Sequence, residues 1–94
     1  MKSIKIGGNM YRVYMTKDEN LGDAAADCDN QKHIIRIGRG AKPEAVRHFL
    51  LHEILHALNW EWEEKEIEML AVMIEQVLVD NPHVTQLFLK NEDK

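Results

Sequence analysis

Residues 52–56 read His-Glu-Ile-Leu-His, and this pentad is where the sequence could do chemistry. On a helix, His52 and His56 stand one turn apart with Cβ atoms about 5–6 Å from each other, so both rings can reach one metal ion. Glu53 follows the first histidine and points toward the coordination position left open, where it can take a proton from water. The chemistry in prospect is metal-assisted hydrolysis, with His52 and His56 as ligands and Glu53 as general base. His48 makes a second pair with His52 at the same spacing. It cannot share one ion with both, because about 12 Å of helix rise separates His48 from His56. The glutamate follows His52, so the site falls at 52/56 and His48 reads as a packed or partly exposed neighbour.

A catalytic zinc takes three protein ligands and keeps one position open. A histidine-rich continuation of the helix would need glycine at 59 and histidine at 62, but the chain has Asn59 and Trp62. An alternative source is the acidic run Glu61, Glu63, Glu64, Glu66 and Glu68, most of which reads as a solvated cluster at the positive end of the next helix. Glu64 lies at the edge of that helix's apolar stripe, one turn before Glu68. Glu64 as ligand, with Glu68 behind it as acceptor for a zinc histidine, is the favoured arrangement. Glu63 is its rival, and Glu61 is less favoured. His83 is the one later histidine, and it lies beyond the Asn81-Pro82 break.

These groups need two helices to position them. Pro43 suits the first turn of a helix that runs to Leu58, with Asn59 able to stop it in the left-handed conformation. At 100° per residue from Val46, the residues Leu50, Leu51, Ile54, Leu55, Ala57 and Leu58 fill about half the wheel, and Phe49 adds to the far side. Such coverage predicts a helix packed inside the domain. His48, His52 and His56 form the one polar stripe, at about 200°, 240° and 280°. A second helix is expected over about Glu61–Val79, with Ile67, Leu70, Ala71, Ile74, Val77 and Leu78 as its core stripe. A tail helix over His83–Leu89 is expected to pack Val84, Leu87 and Phe88 back on the body. The first third reads as strands. Ser3–Ile6 and Met10–Met15 flank Gly7-Gly8-Asn9, Lys17–Asn20 is a polar loop, Gly22–Cys28 is a weak strand, and His33–Ile37 is a β-branched strand ended by Gly38 and Gly40. The expectation is an α+β fold over residues 1–94 as a single domain, with three or four antiparallel strands in a meander.

Ninety-four residues with 45% apolar and 30% charged side chains make an ordinary globular balance. A net charge of −4 leaves no basic footprint, so no nucleic-acid partner is expected. No apolar run approaches the roughly 18 residues of a membrane span, and MKSIKIGGNMYRVYM has no continuous apolar segment of a secretory signal. Cys28 is the sole cysteine, so neither an internal disulfide nor a disulfide-linked partner is expected, and a reducing, cytoplasmic setting is the simplest reading. Cys28 itself reads as a small buried hydrophobe. Trp60 and Trp62 either line a cleft or cap a core. Tyr11, Tyr14, His33 and Arg47 are candidate oxyanion donors.

The succession HEILHAL, a short turn, then Glu64-x-x-Ile67-Glu68-x-Leu70-Ala71 resembles the gluzincin class of zinc peptidases, and within it the small phage-encoded and ImmA/IrrE-type metallopeptidases. The Gly22…Cys28-Asp29…Gln31…Ile35-Arg36-Ile37 stretch and the Asp80-Asn81-Pro82 ending resemble the phage-encoded subset. The likeness covers roughly residues 20 to 82, with HEILH its sharply diagnostic part. It implies a zincin-like fold, zinc on His52, His56 and Glu64, Glu53 as general base, and Glu68 behind a histidine ligand. It further implies a protein or peptide substrate, such as a regulatory protein, and for a phage-encoded chain the host cytoplasm. An extended substrate would add as a strand to an edge such as His33–Ile37. This chain departs from the pattern in its short His56-to-Glu64 connection, and no added domain is expected within these 94 residues. Two other readings stand beside it: an SprT-like protease with His83 as third ligand, and a non-catalytic module in which zinc only stabilises an interaction surface.

Overall fold

A computed structural model describes residues 2–89 and has an α+β architecture. Strands β1 (Lys2–Ile6) and β2 (Asn9–Thr16) form a hairpin, paired from Lys2↔Val13 to Ile6↔Asn9. Its two-residue turn is Gly7-Gly8, with φ of 58° and 94°. A type I′ turn needs positive φ at both centres, which glycine adopts freely. Strands β3 (Ala26–Asp29) and β4 (Ile34–Gly38) form a second antiparallel hairpin. The Asp29 carboxylate ties its connection by accepting the N–H groups of Gln31 and Lys32, each at 2.9 Å.

The sheet is not the expected meander. Its order is β1-β2-β4-β3, and β2 pairs with β4 in parallel, Val13 opposite Ile35 and Met15 opposite Ile37. The cause lies in the connection after β2. Where a polar loop was expected over Lys17–Asn20, Asp18–Leu21 forms a 3-10 turn, and its Asp18 carboxylate accepts the Gly40 N–H at 3.1 Å. A Cβ on Gly38 would come within 2.5 Å of the same carboxylate, so a side chain there would push the Asp18 carboxylate from its place. The Arg39 N–H then donates to the Thr16 carbonyl at 2.8 Å. The second hairpin therefore docks by its later strand, which puts β4 in the interior and β3 at the edge.

Helix α1 (Pro43–Leu58) lies on this sheet, and α2 (Glu64–Asp80) lies on α1. Ile6, Tyr11, Ile35 and Ile37 form the sheet-side core, against Val46, Phe49, Leu50, Ile54 and Ala57 of α1. On the opposite side of α1, Leu55 joins Ile67 and Ala71 of α2, with Leu51 and Leu70 beside them. The helix is sandwiched, as its apolar coverage predicts. The α2 stripe is buried only in its first half: Ile67 and Ala71 are fully buried, whereas Ile74, Val77 and Leu78 stay exposed. The tail helix α3 (Val84–Leu89) does not pack Leu87 and Phe88 back on the body, since Phe88 remains 82% and Leu87 64% exposed, whereas Val84 is half-buried. Among the described residues, no helix is long and apolar enough to cross a membrane.

Candidate metal centre

The helix ends decide which acidic residues reach the histidines. Helix α1 stops at Asn59, whose backbone is extended (φ −152°) rather than left-handed and whose N–H still donates to the Leu55 carbonyl. Its side-chain oxygen accepts the Glu61 N–H at 3.1 Å, turning the chain at once toward α2. Glu63 caps α2. Its carboxylate takes a backbone N–H of the first turn, while the Glu66 carboxylate accepts the Glu63 N–H at 3.1 Å. This reciprocal capping box starts the helix at Glu64, three residues later than expected, and occupies the carboxylate of the rival candidate Glu63. Glu64 is left as the first helical residue.

Glu64 meets both histidines. Its Oε2 lies 2.7 Å from His52 Nε2, and its Oε1 lies 2.8 Å from His56 Nε2. One ligand atom from each of the three residues falls within 4.8 Å of the others. Two imidazole nitrogens and one carboxylate are donors that suit zinc, and three protein ligands leave a fourth position for water or substrate. The residues present therefore fit a zinc ion. Burial pushes the Glu64 carboxyl up, but hydrogen bonds and charge from His52 and His56 outweigh it and bring it below its usual value. Glu68 stands behind His52, its Oε1 2.9 Å from Nδ1. With the proton held on Nδ1, the Nε2 lone pair faces the metal position. His83 is in neither of the two His/Glu groups found among the described residues.

Glu53 leaves the histidine stripe and turns under the cleft. It is the one buried charged residue among those described, at 6% exposure. Burial chiefly raises its carboxyl to about 7; His52 offsets this in part, while Glu64 and Asp27 add to it. Cys28 lies on the adjoining strand, half-buried, its thiol pushed up to about 12 by burial and then by Glu53, Asp27 and Asp29. It is therefore a thiol and not a thiolate near neutral pH.

Two openings meet at this point. A cleft of about 400 Å³ is lined by Ala25, Ala26, His52, Glu53 and Glu64, and an adjoining one of about 270 Å³ by Ala26, Cys28, Glu53, His56 and Glu64. Together they run along β3, which with β1 is one of the two edge strands of the sheet. The substrate edge expected at His33–Ile37 is thus corrected, because β4 is paired on both sides. Sequence reasoning also missed Glu75, which bonds His48 and Arg47. Its position, seven residues after Glu68 on the same helix face, was the available signal. Of the candidate oxyanion donors, Tyr11 is buried and donates to Asn30, and Arg47 is held by Glu75. None of Tyr11, Tyr14, His33 or Arg47 lines either cleft, and neither Trp60 nor Trp62 does. Searches of protein-family models, curated proteins and solved structures find no match to this chain.

Proposed function

We propose that this chain is a minimal zinc-dependent peptidase of the gluzincin kind with a zincin-like fold. The observation that carries the reading is the Glu64 carboxylate held between His52 Nε2 and His56 Nε2, with the buried, non-ligating Glu53 beside it on the same cleft. Zinc, when bound, supplies Lewis acidity, bringing a water to a pKa of about 7 and polarising a peptide carbonyl. Glu53 takes the proton released by the attacking water and returns it to the leaving amine. Glu68 fixes the His52 ring by its Nδ1 proton. The free N–H and C=O groups of β3 bind an extended peptide as an added strand, which aligns its carbonyl with the site.

The test is cleavage of unfolded protein and of repressor proteins by wild type and Glu53→Gln, read by mass spectrometry. Loss of a general base costs about 10²–10⁴-fold, so zinc-loaded Glu53→Gln should be folded and nearly inactive. Cleavage that survives the substitution would refute the assignment. The exposed Leu87, Phe88 and Leu89 of α3 favour a second reading, a zinc-stabilised interaction module. No cleavage by zinc-loaded wild type, with a fourth protein ligand on the ion, would favour it.

A further inference from the structure

Beyond the first site, the helix pair carries the same constellation again. Subtracting four from the α1 positions and adding four to the α2 position turns His52, His56 and Glu64 into His48, His52 and Glu68. The pairs His56–Glu64 and His52–Glu68 show that α1 and α2 run antiparallel, so the change is one translation of about 6 Å along both helices. The donor atoms of the second set again lie within 4.8 Å of one another. His48 Nε2 is 3.0 Å and 3.2 Å from the two Glu68 oxygens, and His52 Nδ1 is 2.9 Å from Glu68 Oε1. Glu68 thus bridges two ring nitrogens as Glu64 does below it.

The outer partner is repeated as well. Glu68 holds the Nδ1 of His52, and Glu75 holds the Nδ1 of His48 at 2.9 Å, with Arg47 Nε on the other Glu75 oxygen at 3.1 Å. His48 therefore has its Nε2 directed at Glu68 and its far nitrogen anchored, the arrangement of a ligand histidine. The 400 Å³ cleft is lined by His48, His52, Glu64 and Glu68 together, so both sets open on the same solvent.

We propose that His48 Nε2, Glu68 and His52 Nδ1 form a second divalent-cation site beside the first, which Zn²⁺ fills at higher concentration. Imidazole and carboxylate donors suit zinc and its late first-row neighbours rather than calcium or magnesium. Filling it releases the Nδ1 proton of His52 and any proton on His48 Nε2, while His48 keeps the Nδ1 proton that it shares with Glu75. The second site is the weaker one, because His52, already bound through Nε2, offers Nδ1 only as an imidazolate, and because the ion takes Glu68 away from its outer role at His52. The proposal rests on the first set being a metal centre.

The experiment is a calorimetric titration of the metal-free full chain with Zn²⁺, with melting curves to verify folding. It compares wild type, His48→Gln, His56→Gln and Glu75→Gln. Wild type should take two equivalents, the second about ten-fold or more weaker than the first. His48→Gln should keep the first and lose the second. Glu75→Gln should keep both and weaken the second by about 10–100-fold, as loss of an outer partner does. A single equivalent in wild type up to millimolar Zn²⁺, unchanged in His48→Gln, would overturn the second site and leave His48 and Glu75 as a brace on Glu68. One equivalent retained by His56→Gln and lost by His48→Gln would uphold the second site and overturn the first. No bound zinc would overturn both.

Discussion

Glu53 carries two opposed demands. In its proposed role Glu53 must be ionised to accept a proton, yet in the metal-free protein burial raises its carboxyl to about 7 from an ordinary 4.5 and disfavours the charged form held at higher pH. A folded-state pKa above the unfolded one gives stability that is complete below the unfolded value and lost as pH rises through the folded value. The shift corresponds to on the order of 3 kcal/mol once both states are ionised. Glu53→Gln keeps the shape and removes the charge. In the metal-free protein it should therefore stabilise the fold by that order at pH 8 and change little at pH 4, measured by urea denaturation. Equal effects at both pH values would mean the carboxyl is not desolvated. The identity of the pentad was legible because residue types and spacing carry it. The burial of Glu53 was not, since the helix wheel puts it beside the histidine stripe and cannot show that β3 and the sheet cover that flank.

Helix α1 is held on one face by the sheet and on the other by Ile67 and Ala71 of α2, so the position of Glu64 depends on a small second core. Ile67 is fully buried and Leu78 is 38% exposed. Ile67→Ala should cost about 2–5 kcal/mol and weaken zinc binding, whereas Leu78→Ala should cost clearly less. Chemical denaturation with zinc titration checks both, and equal losses would mean that the apolar stripe of α2 is buried along its whole length. The helices, their order and the break at Asn81-Pro82 follow from periodicity and proline chemistry. Burial of the stripe does not, because periodicity tells which face is apolar and not how far a neighbour extends along it. Past Ala71 an apolar groove bordered by Leu50, Leu51, Ile54 and Leu78 stays open between the helices. The parallel β2–β4 pair was likewise hidden. Alternating residues look the same in either direction, and the deciding contact, Asp18 with Gly38 and Gly40, joins residues about 20 apart.

For the molecule as a whole, a small core means that the proposed zinc binding should supply a large share of the stability. Zinc and protons should act in opposite directions. Burial alone would lower the His48 imidazole, but Glu75 and Glu68 raise it above 6.5, and burial raises Glu53, so both groups lend the metal-free fold stability that is lost as pH rises from about 5 to 8. The zinc-loaded fold should instead gain over that range, because ligand histidines must be deprotonated. Melting curves with and without a chelator should diverge as pH increases, the chelated protein falling and the loaded one rising. Curves that stay parallel would mean that the metal does not bind through these histidines. The α+β class was legible from a strand-rich first third and a helical remainder. The exposure of Leu87 and Phe88 was not, for a helical spacing of apolar residues is the same whether or not a body lies beneath them.

The central claim is that His52, His56 and Glu64 hold the ion, and zinc content tests it most directly. Wild type, Glu64→Ala and Glu63→Ala would be dialysed against about 1 μM free zinc and analysed by mass spectrometry for metal per chain, a level at which a tight structural or catalytic site fills. The predicted result is one zinc in wild type, one in Glu63→Ala, where only a helix cap is lost, and nearly none in Glu64→Ala. Full zinc retention in Glu64→Ala with loss in Glu63→Ala would contradict the account and move the third ligand to the residue that the structure uses as a cap.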